Sequence, residues 1–597
     1  MPSSSRRAAP APVQYRVEPA DLHAHLYRVT LTVTRPRARQ EVALPVWIPG
    51  SYLVREFSKQ LQHLQARQAG RPVATLQRDK CRWQIDCDPR QPLVLSYEVY
   101  AFDNSVRTAW LDGLRGFFNG TSLCLRVDGQ DDQPHELNLQ RGAAPADWQV
   151  ATGLLPFKTD RRGFGVYRAA DYDELVDSPV ELGAFWRGDF KAGGVNHRFV
   201  VAGAPPAFDG KRLLADAQRI CETAIRFWHA QGKPTGRCGK PPFTDYVFLL
   251  NATDDGYGGL EHRNSTALIC ARRDLPRLDS RPGEGYTTLL GLISHEYFHT
   301  WNVKRLRPAD FTRYDYGVEN YTELLWFFEG FTSYYDDLLL RRAGLLDDTA
   351  YLKLLNKTVN QLQQTPGRLV QSVAQASFDA WVKYYRVDEN TPNATVSYYG
   401  KGALVALCLD LTLRREGAHT LDDVMRALWL RCKGGPMREA DLLDTLKDLS
   451  GRSWTREIQR WVHSTSELPL RELLARHGVN VFDEPSQLAQ RLGLRVSENG
   501  GAIQVKTVLR GGAAEKAGLA AGDEWLGVTV GSGKSRSGWR LHKLDDLLLY
   551  AGGQSRVDIL VARDQRLLTL TLVLAREAKT WRLAVSDKAC VGRWLSP

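Results

Sequence analysis

The sequence predicts a multidomain α+β protein, and three observations support this fold class. The chain has 597 residues, enough for about three or four domains. Alternating, β-branched segments are concentrated from about residue 14 to 185 and again from about residue 488, whereas helical periodicity dominates from Tyr286 to about residue 475. The hydrophobic fraction of 43% and the charged fraction of 25% are typical of folded globular chains.

Composition and charge argue against several classes of protein. The net charge of +11 comes from bases mixed with acids along the chain, without a zinc-finger spacing or a long Lys/Arg block, so we expect no nucleic-acid partner. No run reaches the ~18 apolar residues that span a bilayer, so we expect no membrane span. Residues 1–13 lack the apolar segment of a secretory signal and are expected to be a disordered leader. Nine cysteines without a CxxC pair indicate reduced thiols and a cytoplasmic protein.

Residues 14–185 are predicted to form an N-terminal β-sandwich domain. Leu26–Thr34 and Leu93–Phe102 alternate between apolar and polar residues and are rich in β-branched side chains. Proline and glycine interrupt the segment at short intervals, as they do between the strands of a sandwich.

Residues 186–345 are predicted to form a βα core, and residues 346–485 a helical domain. Lys211–Ala230 has helical periodicity, and the apolar run Tyr246–Asn251 is predicted to be a buried strand. The DDGYGGLEH segment that follows is predicted to be a glycine-rich turn.

Residues 486–576 are predicted to form a compact domain of mixed β and α structure, followed by a C-terminal tail, residues 577–597. The strands and helices expected in this domain are Gly493–Val496, Ala502–Val508, Ala513–Gly518, Glu524–Val530, Lys543–Ala551, Arg556–Ala562 and Leu567–Leu574.

The sharpest chemical signal is the segment from His295 to His299, HEYFH, which follows the apolar run LLGLI. Two histidines four positions apart lie on one helix face and can chelate one Zn²⁺ through neutral imidazole nitrogens. Glu296 lies about 100° around the helix from His295, so its carboxylate can act on the attacking water without ligating the metal. The motif therefore predicts a catalytic site with one zinc ion per chain.

Glu329 is the expected third ligand. It follows in the segment LLWFFEGFTSYYDD, where aromatic residues surround it. A buried carboxylate without a cation partner costs several kcal/mol, and zinc would supply that partner. Glu323 is the competing candidate, but its neighbours are more polar.

These residues resemble the gluzincin metallopeptidases, and the chain as a whole resembles the glycyl aminopeptidase family of zinc aminopeptidases with a C-terminal PDZ domain. Segments that match the family pattern in order are PVWIPGSYLVREF, VRTAWLD with FFNGTSL, YGGLEHRNS, HEYFHTWNVKRLRP, LWFFEGFTSYY and YYGKGALVALCLDL. The resemblance implies a thermolysin-like catalytic domain at residues 186–345.

The segment that includes Gly258, Gly259 and Glu261 is similar to the GxMEN segment of the aminopeptidase N family. The resemblance implies that Glu261 binds the free α-amino group of the substrate and that the two glycines contribute to substrate binding. The match departs at His262, where the family has Asn.

Tyr399 stands two residues before Lys401, at the position of the tyrosine in the family's YxKGA segment. A phenol is neutral at pH 7 and can donate a hydrogen bond to an oxyanion, so the resemblance implies that Tyr399 stabilises the reaction intermediate. Tyr398 remains an alternative.

The segment Gly511–Val528 resembles the bacterial PDZ signature, which implies a domain, residues 486–576, that accepts a peptide C-terminus or strand. Trp525 stands where a small aliphatic residue is usual and is expected to reshape that groove. Lys304 and Arg305, after the zinc motif, are expected to anchor loops or form interdomain ion pairs.

The sequence thus predicts a zinc aminopeptidase that acts on peptides with a free N-terminus, with preference for N-terminal Gly or Ala implied by the resemblance. Two alternatives remain. A zinc endopeptidase would share the metal chemistry without an amine anchor, and an inactive PDZ scaffold would bind no zinc.

Overall fold

The computed structural model describes residues 11–230, 239–281, 283–417, 419–574 and 579–597. Contacts between Cα atoms divide the chain into two compact units, Met1–Tyr321 with Leu428–Arg438, and Thr322–Ala427 with Glu439–Pro597. The prediction of a multidomain α+β protein with a β-rich N-terminal part is confirmed. Within the described ranges, every helix is too short or too polar to cross a bilayer.

The N-terminal part of the first unit is built from strands whose side chains alternate between the core and solvent. In Leu26–Val33 and Leu93–Tyr100, every second residue is buried, as expected for strands that pack one face against a core. The strands are β1 (Val13–Asp21), β2 (Leu26–Val33), β3 (Arg39–Ala43), β4 (Leu61–Gln68), β5 (Arg71–Val73), β6 (Thr75–Gln77), β7 (Arg82–Asp86), β8 (Leu93–Tyr100), β9 (Ala109–Leu111), β10 (Arg115–Phe118), β11 (Arg126–Val127), β12 (His135–Leu139), β13 (Gln149–Thr152), β14 (Leu155–Thr159), β15 (Gly165–Ala169) and β16 (Val180–Gly183).

These strands form three sheets. The largest has eight strands in the order β14-β15-β12-β1-β2-β8-β4-β5, and the four-stranded sheets run β13-β16-β10-β9 and β11-β3-β7-β6. Two short helices, α1 (Gly120–Leu123) and α2 (Tyr172–Val176), connect strands, and Asp171 caps α2 by accepting a hydrogen bond from the backbone N–H of Glu174. The first strand begins at Val13, so the predicted leader lies mostly in residues 1–10, outside the described residues.

A five-stranded sheet and two long helices follow in the same unit. The elements are β17 (Trp186–Ala192), β18 (Val195–Ala202), α3 (Gly210–His229), β19 (Asp245–Thr253), β20 (Tyr257–Glu261), β21 (Ser265–Ala271), α4 (Glu284–Phe298), β22 (Arg307–Pro308) and β23 (Pro436–Met437). The strand order is β17-β18-β19-β21-β20, with β20 at the edge and antiparallel to β21.

The glycine-rich turn predicted in DDGYGGLEH is therefore partly wrong, because Tyr257–Glu261 is an edge strand. Pairing with β21, which places Gly259 opposite Leu268, outweighs the low strand propensity of the two glycines. The predicted helix and buried strand before it are confirmed as α3 and β19.

The second unit begins with a helical region. Its helices are α5 (Leu325–Arg342), α6 (Asp348–Gln363), α7 (Val373–Phe378), α8 (Thr391–Ala394), α9 (Tyr398–Glu416), α10 (Leu421–Arg431), α11 (Glu439–Ser450), α12 (Thr455–Trp461) and α13 (Leu470–Arg476). Ser397 caps α9 by accepting a hydrogen bond from the Gly400 N–H, and Gly417, at φ +90°, ends the helix. α10 runs past the end of the segment that belongs to this unit.

The C-terminal part of this unit is a small β-rich region. Its elements are β24 (Val479–Pro485), α14 (Leu488–Leu492), β25 (Leu494–Asn499), β26 (Ala502–Val508), α15 (Ala513–Ala517), β27 (Glu524–Val530), β28 (Ser537–Arg540), α16 (Asp546–Ala551), β29 (Arg556–Arg563), β30 (Arg566–Val573), β31 (Lys579–Val585) and α17 (Lys588–Leu595). Every helix and strand predicted here is found to within a few residues. Trp525 is buried in the core of this region.

The predicted C-terminal tail is wrong for residues 579–597. Strand β31 pairs antiparallel with β24 along seven residues, and α17 buries Trp594 and Leu595. Both elements depend on partners far away in the sequence, which periodicity within the tail does not reveal.

Candidate active site

Helix α4 presents the histidine pair at its C-terminal end. Its buried residues include Leu289, Leu292 and Ile293, as the apolar run before the motif predicts. His295 lies in the last turn and His299 caps the helix, so their side chains share one face. The two Nε2 atoms are 3.1 Å apart.

A backbone carbonyl orients His299. Its Nδ1–H donates to the Asn302 carbonyl oxygen over 2.8 Å, which leaves Nε2 as the ligand atom. Two imidazole nitrogens bound tetrahedrally at the usual Zn–N distance would lie about 3.3 Å apart, close to the Nε2–Nε2 separation in the structure. The pair therefore fits a zinc ion.

His295, His299 and Glu329 form a group in which one ligand atom from each side chain lies within 4.8 Å of the others. Two imidazoles and one carboxylate are a common donor set for catalytic zinc. Glu329 is only 2% exposed on α5, whereas the alternative ligand, Glu323, is exposed. The structure thus favours Glu329 as the third ligand for the reason already given from the sequence: a buried carboxylate costs free energy unless a cation lies beside it.

The edge strand β20 passes directly against Glu296. A Cβ atom at Gly259 would overlap Glu296 Oε1, so only glycine allows the backbone to approach this carboxylate. Arg107 holds the strand in place by donating from Nη2 to the Gly259 carbonyl oxygen over 3.2 Å. Gly258, one residue earlier, pairs with Ile269 of β21.

Glu261 faces a loop of the β-rich region. A Cβ atom at Gly50 would lie 2.5 Å from Glu261 Oε1, and Gly50 has φ +89°, so the loop requires glycine for two reasons. Glu261 is 5% exposed. Because Gly259 and Glu261 are two residues apart on one strand, the Glu296 carboxylate and the Glu261 side chain lie on the same face of β20.

A buried ionic network lies behind this strand. Asp177 Oδ1 accepts from Lys304 Nζ at 2.7 Å and lies 3.0 Å from His262 Nδ1, and its other oxygen accepts from the Arg263 N–H. Burial alone would raise the pKa of Asp177, but the charges of Lys304, His262 and Arg263 hold it below its usual range. His262 stands where the GxMEN segment has Asn, and it follows Glu261 directly. Its contact with the buried Asp177 carboxylate therefore holds the backbone next to Glu261 in place.

Arg305 anchors the loop after α4. Its guanidinium donates to the carbonyl oxygens of Arg263, Thr300 and Pro242, each over 2.8 or 2.9 Å. The prediction that Lys304 and Arg305 anchor loops is therefore confirmed.

In the second unit, Glu329 on α5 and Tyr399 on α9 belong to two helices that touch backbone to backbone. A Cβ atom at Gly330 would lie 2.5 Å from the Gly402 Cα, and one at Gly402 would overlap the Trp326 carbonyl oxygen. The two glycines allow this approach, which fixes the positions of both helices relative to each other.

The two tyrosine candidates differ in exposure. Tyr398 is fully buried, whereas Tyr399 is partly exposed, and their rings stack with centroids 4.8 Å apart. Burial, and then the nearby charge of Glu329, raise the pKa of Tyr399 well above its usual value. The Tyr399 phenol is therefore neutral at physiological pH and can donate a hydrogen bond.

Sequence reasoning assigned no role to Gly50, Gly330, Gly402 or Asp177. The three glycines stand inside segments of the family pattern, IPGSY, EGF and KGA. Their place in these segments was the only sequence feature that could have indicated a role for them. Asp177 stands in no such segment, and its partners are 85 or more positions away.

Comparisons with known proteins identify the family. The model for the peptidase M61 N-terminal domain matches residues 14–184, and the model for M61 glycyl aminopeptidase matches residues 288–405. A crystal structure of an aminopeptidase N family protein from Idiomarina loihiensis is 37% identical, with a TM-score of 0.91 over 98% of this chain and 100% of that chain.

Two M1 zinc metallopeptidase structures from Deinococcus radiodurans, one a mutant bound to a Tyr-Ser-Ala substrate, are 16% and 18% identical with a TM-score of 0.48. They cover 76% and 77% of this chain, and 94% and 96% of their own chains. No curated protein matches the chain. The 37% identity over nearly the whole length, together with both domain models, shows that this chain is a peptidase of the M61 glycyl aminopeptidase family.

Proposed function

We propose that this protein is a zinc aminopeptidase that removes the N-terminal residue from peptides. The observation that carries the proposal is the arrangement along β20, where Gly259 lies against the Glu296 carboxylate and Glu261 follows two residues later on the same face. Positions i and i+2 of a strand are about 6–7 Å apart, which leaves room for one substrate residue of about 3.3 Å together with one hydrogen-bond contact of about 3 Å. A group that binds the α-amine at Glu261 therefore brings the first peptide bond to Glu296.

Glu261 binds the substrate ammonium. Its carboxylate is nearly inaccessible to solvent and is held between β20 and the loop at Gly50. A buried carboxylate favours a cationic partner, and a free N-terminus supplies one. An acetylated N-terminus carries no charge and cannot take that place.

His295, His299 and Glu329 would hold one zinc ion, in the manner of the gluzincins. When bound, zinc acts as a Lewis acid that lowers the pKa of water and polarises the substrate carbonyl. The hydrogen bond from His299 Nδ1 to the Asn302 carbonyl orients the ring for this role.

Glu296 is the general base and acid of the reaction. Its carboxylate accepts a proton from the attacking water and delivers it to the nitrogen of the departing amine. The neutral Tyr399 phenol donates a hydrogen bond to the oxyanion, a contribution typically worth about 3–4 kcal/mol.

Hydrolysis of Gly- and Ala-amide reporters tests the proposal, with each reporter used with and without an N-terminal acetyl group. The purified zinc-loaded protein should cleave only the free-amine reporters, and Gly and Ala reporters faster than a Leu reporter. Equal cleavage of acetylated reporters would instead identify an endopeptidase. No turnover of any reporter by protein with confirmed zinc would contradict the aminopeptidase proposal.

The variant Glu261→Gln further distinguishes an aminopeptidase from an endopeptidase. In an aminopeptidase it should lower kcat/KM for free-amine reporters by about two orders of magnitude, since it removes a charge-assisted contact. In an endopeptidase it would leave cleavage of blocked peptides intact.

Residues 486–576 would form a PDZ domain that binds a peptide C-terminus or strand. Support comes from helix α15 followed by the turn between Gly518 and Gly522, and from the buried Asp523, which pairs with Arg563. The eight described cysteines are free thiols, which supports a cytoplasmic location.

A further inference from the structure

A cavity of about 410 Å³ lies in the second unit, between the end of α9, the end of α13 and helix α17. Its lining includes six side chains that are cationic or can become so: Arg414, Arg415, His419, Arg476, His477 and Arg593. None of the described residues that line it is acidic, and none belongs to the proposed catalytic group.

The ion pairs around the cavity leave an excess of positive charge. Arg414 pairs with the buried Asp410 at 3.0 Å. Arg415 and Arg476 share one carboxylate, Glu472, at 3.9 and 3.1 Å. Two carboxylates, Asp410 and Glu472, thus pair with three guanidinium groups, and Arg593 adds a fourth.

The fourth guanidinium, on Arg593, is attracted by Asp587 at the start of its own helix, but no ion pair within 4 Å joins the two in the described part of the chain. Arg593 Nη2 lies 2.8 Å from Cys590 Sγ. Asp587 accepts hydrogen bonds from the backbone N–H groups of Ala589 and Cys590 at the start of α17. Four guanidinium groups thus face two carboxylates, Asp410 and Glu472, which leaves an excess of about two positive charges at the cavity.

Arg414 is preorganised for an anion. Its Nε contacts both oxygens of Asp410 at 3.0 Å, and its Nη1 donates to the Arg593 carbonyl oxygen over 3.1 Å. Its Nη2 is buried and has no hydrogen-bond partner among the described residues. The contacts with Asp410 and Arg593 fix the orientation of the Arg414 guanidinium, which belongs to the lining of the cavity.

His477 also lines the cavity. Its Nδ1–H donates to the Leu473 carbonyl oxygen over 2.8 Å. Burial lowers the pKa of His477, the Leu473 hydrogen bond and the charge of Asp410 oppose this shift, and the charges of Arg414 and Arg415 add to it.

We propose that this cavity binds a phosphorylated small molecule of about nucleotide size. Guanidinium groups match phosphate oxygens in geometry and charge, and four of them converge here. The volume lies within the range of small-molecule pockets and exceeds that of a phosphate ion. The site is independent of the proposed peptidase chemistry, so either proposal can fail alone.

Calorimetric titration of the zinc-loaded full-length protein with AMP tests the proposal, with adenosine and inorganic phosphate as parallel ligands. AMP should bind at low ionic strength, phosphate should bind more weakly, and adenosine should not bind. The double variant R415A/R476A should weaken AMP binding about tenfold or more, since it removes two charged donors from partly exposed positions. The matched control R456A/R460A removes two exposed arginines that do not line the cavity and should leave binding unchanged.

A second measurement locates the ligand. Cys590 lines the cavity, so AMP should slow its alkylation, whereas Cys87 and Cys432, which do not line it, should react at an unchanged rate. The proposal is overturned if adenosine binds as well as AMP, or if Cys590 alkylation is unaffected at saturation. AMP binding that R415A/R476A leaves unchanged would place the ligand elsewhere, the metal site included, and would also overturn it.

Discussion

Lys304 Nζ lies 2.7 Å from Asp177 Oδ1, and the two side chains are 3% and 14% exposed. The pair joins the loop after the histidine helix to the segment after α2, and His262, the residue that follows β20, contacts the same carboxylate. One buried carboxylate therefore fixes the loop after α4 and the end of the strand that carries Glu261.

Asp177→Asn should destabilise the protein by about 3 kcal/mol at pH 7, because it leaves the Lys304 charge buried without its partner. Thermal or urea unfolding measures this change. The control Glu56→Gln removes an exposed ion pair with Lys80 and should cost less than about 1 kcal/mol. Equal losses in both variants would mean that burial of the Asp177 pair is energetically unimportant.

The contribution of Asp177 should also depend on pH. Its pKa is lower in the folded protein than in the unfolded chain, so the stabilisation is present above about pH 4 and is lost as the pH falls through the folded value. The stability difference between wild type and Asp177→Asn should therefore be constant from about pH 5 to 8 and shrink below about pH 4.

Lys401 should also make stability rise with pH, but on the alkaline side. The side chain is 2% exposed, and burial lowers its pKa to about 8. Between about pH 8 and 10.5 the unfolded chain binds more protons than the folded one, so the free energy of unfolding rises with pH.

Relative to Lys401→Met, wild type should gain on the order of 3 kcal/mol over that interval. Urea unfolding at a series of pH values measures the gain. Lys357→Met, at an exposed position of α6, controls for the loss of a lysine. Parallel pH profiles for wild type and Lys401→Met would show that Lys401 keeps its proton throughout.

Gly402→Ala should lower stability by about 2–3 kcal/mol and reduce turnover, because a methyl group there forces α5 and α9 apart. The control is Gly400→Ala in the same helix, whose Cβ would meet no atom closer than 3.9 Å. That variant should be neutral or stabilising by up to about 1 kcal/mol. Chemical unfolding and reporter hydrolysis of the two variants provide the comparison, and similar behaviour would argue against the close helix contact.

Gly50→Ala should selectively impair amine binding, since its Cβ would lie 2.5 Å from Glu261 Oε1. Gly70→Ala is the matched control, because Gly70 also has positive φ, +78°, but has no atom within 4 Å of an added Cβ. Both variants carry the backbone strain of about 1–2 kcal/mol, whereas only Gly50→Ala should raise KM for free-amine reporters about tenfold or more. Equal KM values for the two variants would show that the loop at Gly50 does not contribute to amine binding.

Glu329→Gln should lose bound zinc, whereas Glu323→Gln should retain it. Glu329 contributes to the group of three ligand atoms and is buried, while Glu323 is exposed. Metal analysis after dialysis measures the stoichiometry, which should be about one zinc per chain in wild type and Glu323→Gln. Retention of zinc by Glu329→Gln would return Glu323 to consideration.

Features that depend on local spacing were predictable from the amino-acid sequence. His295 and His299 share a helix face because of their i, i+4 separation, and Glu329 stood out because an acid among aromatic residues requires a cation. Alternation between apolar and polar residues likewise predicted β2 and β8.

The distant residues that complete these local features are visible in the folded chain but not in the sequence pattern. Gly50 meets Glu261, Gly330 meets Gly402, and the tail pairs with β24, and each of these contacts joins segments far apart in the chain. Periodicity reports which face of an element is apolar, but it carries no information about which other segment covers that face. Close backbone approach and buried charge pairing arise only when the segments pack, so their residues became recognisable only in the folded protein.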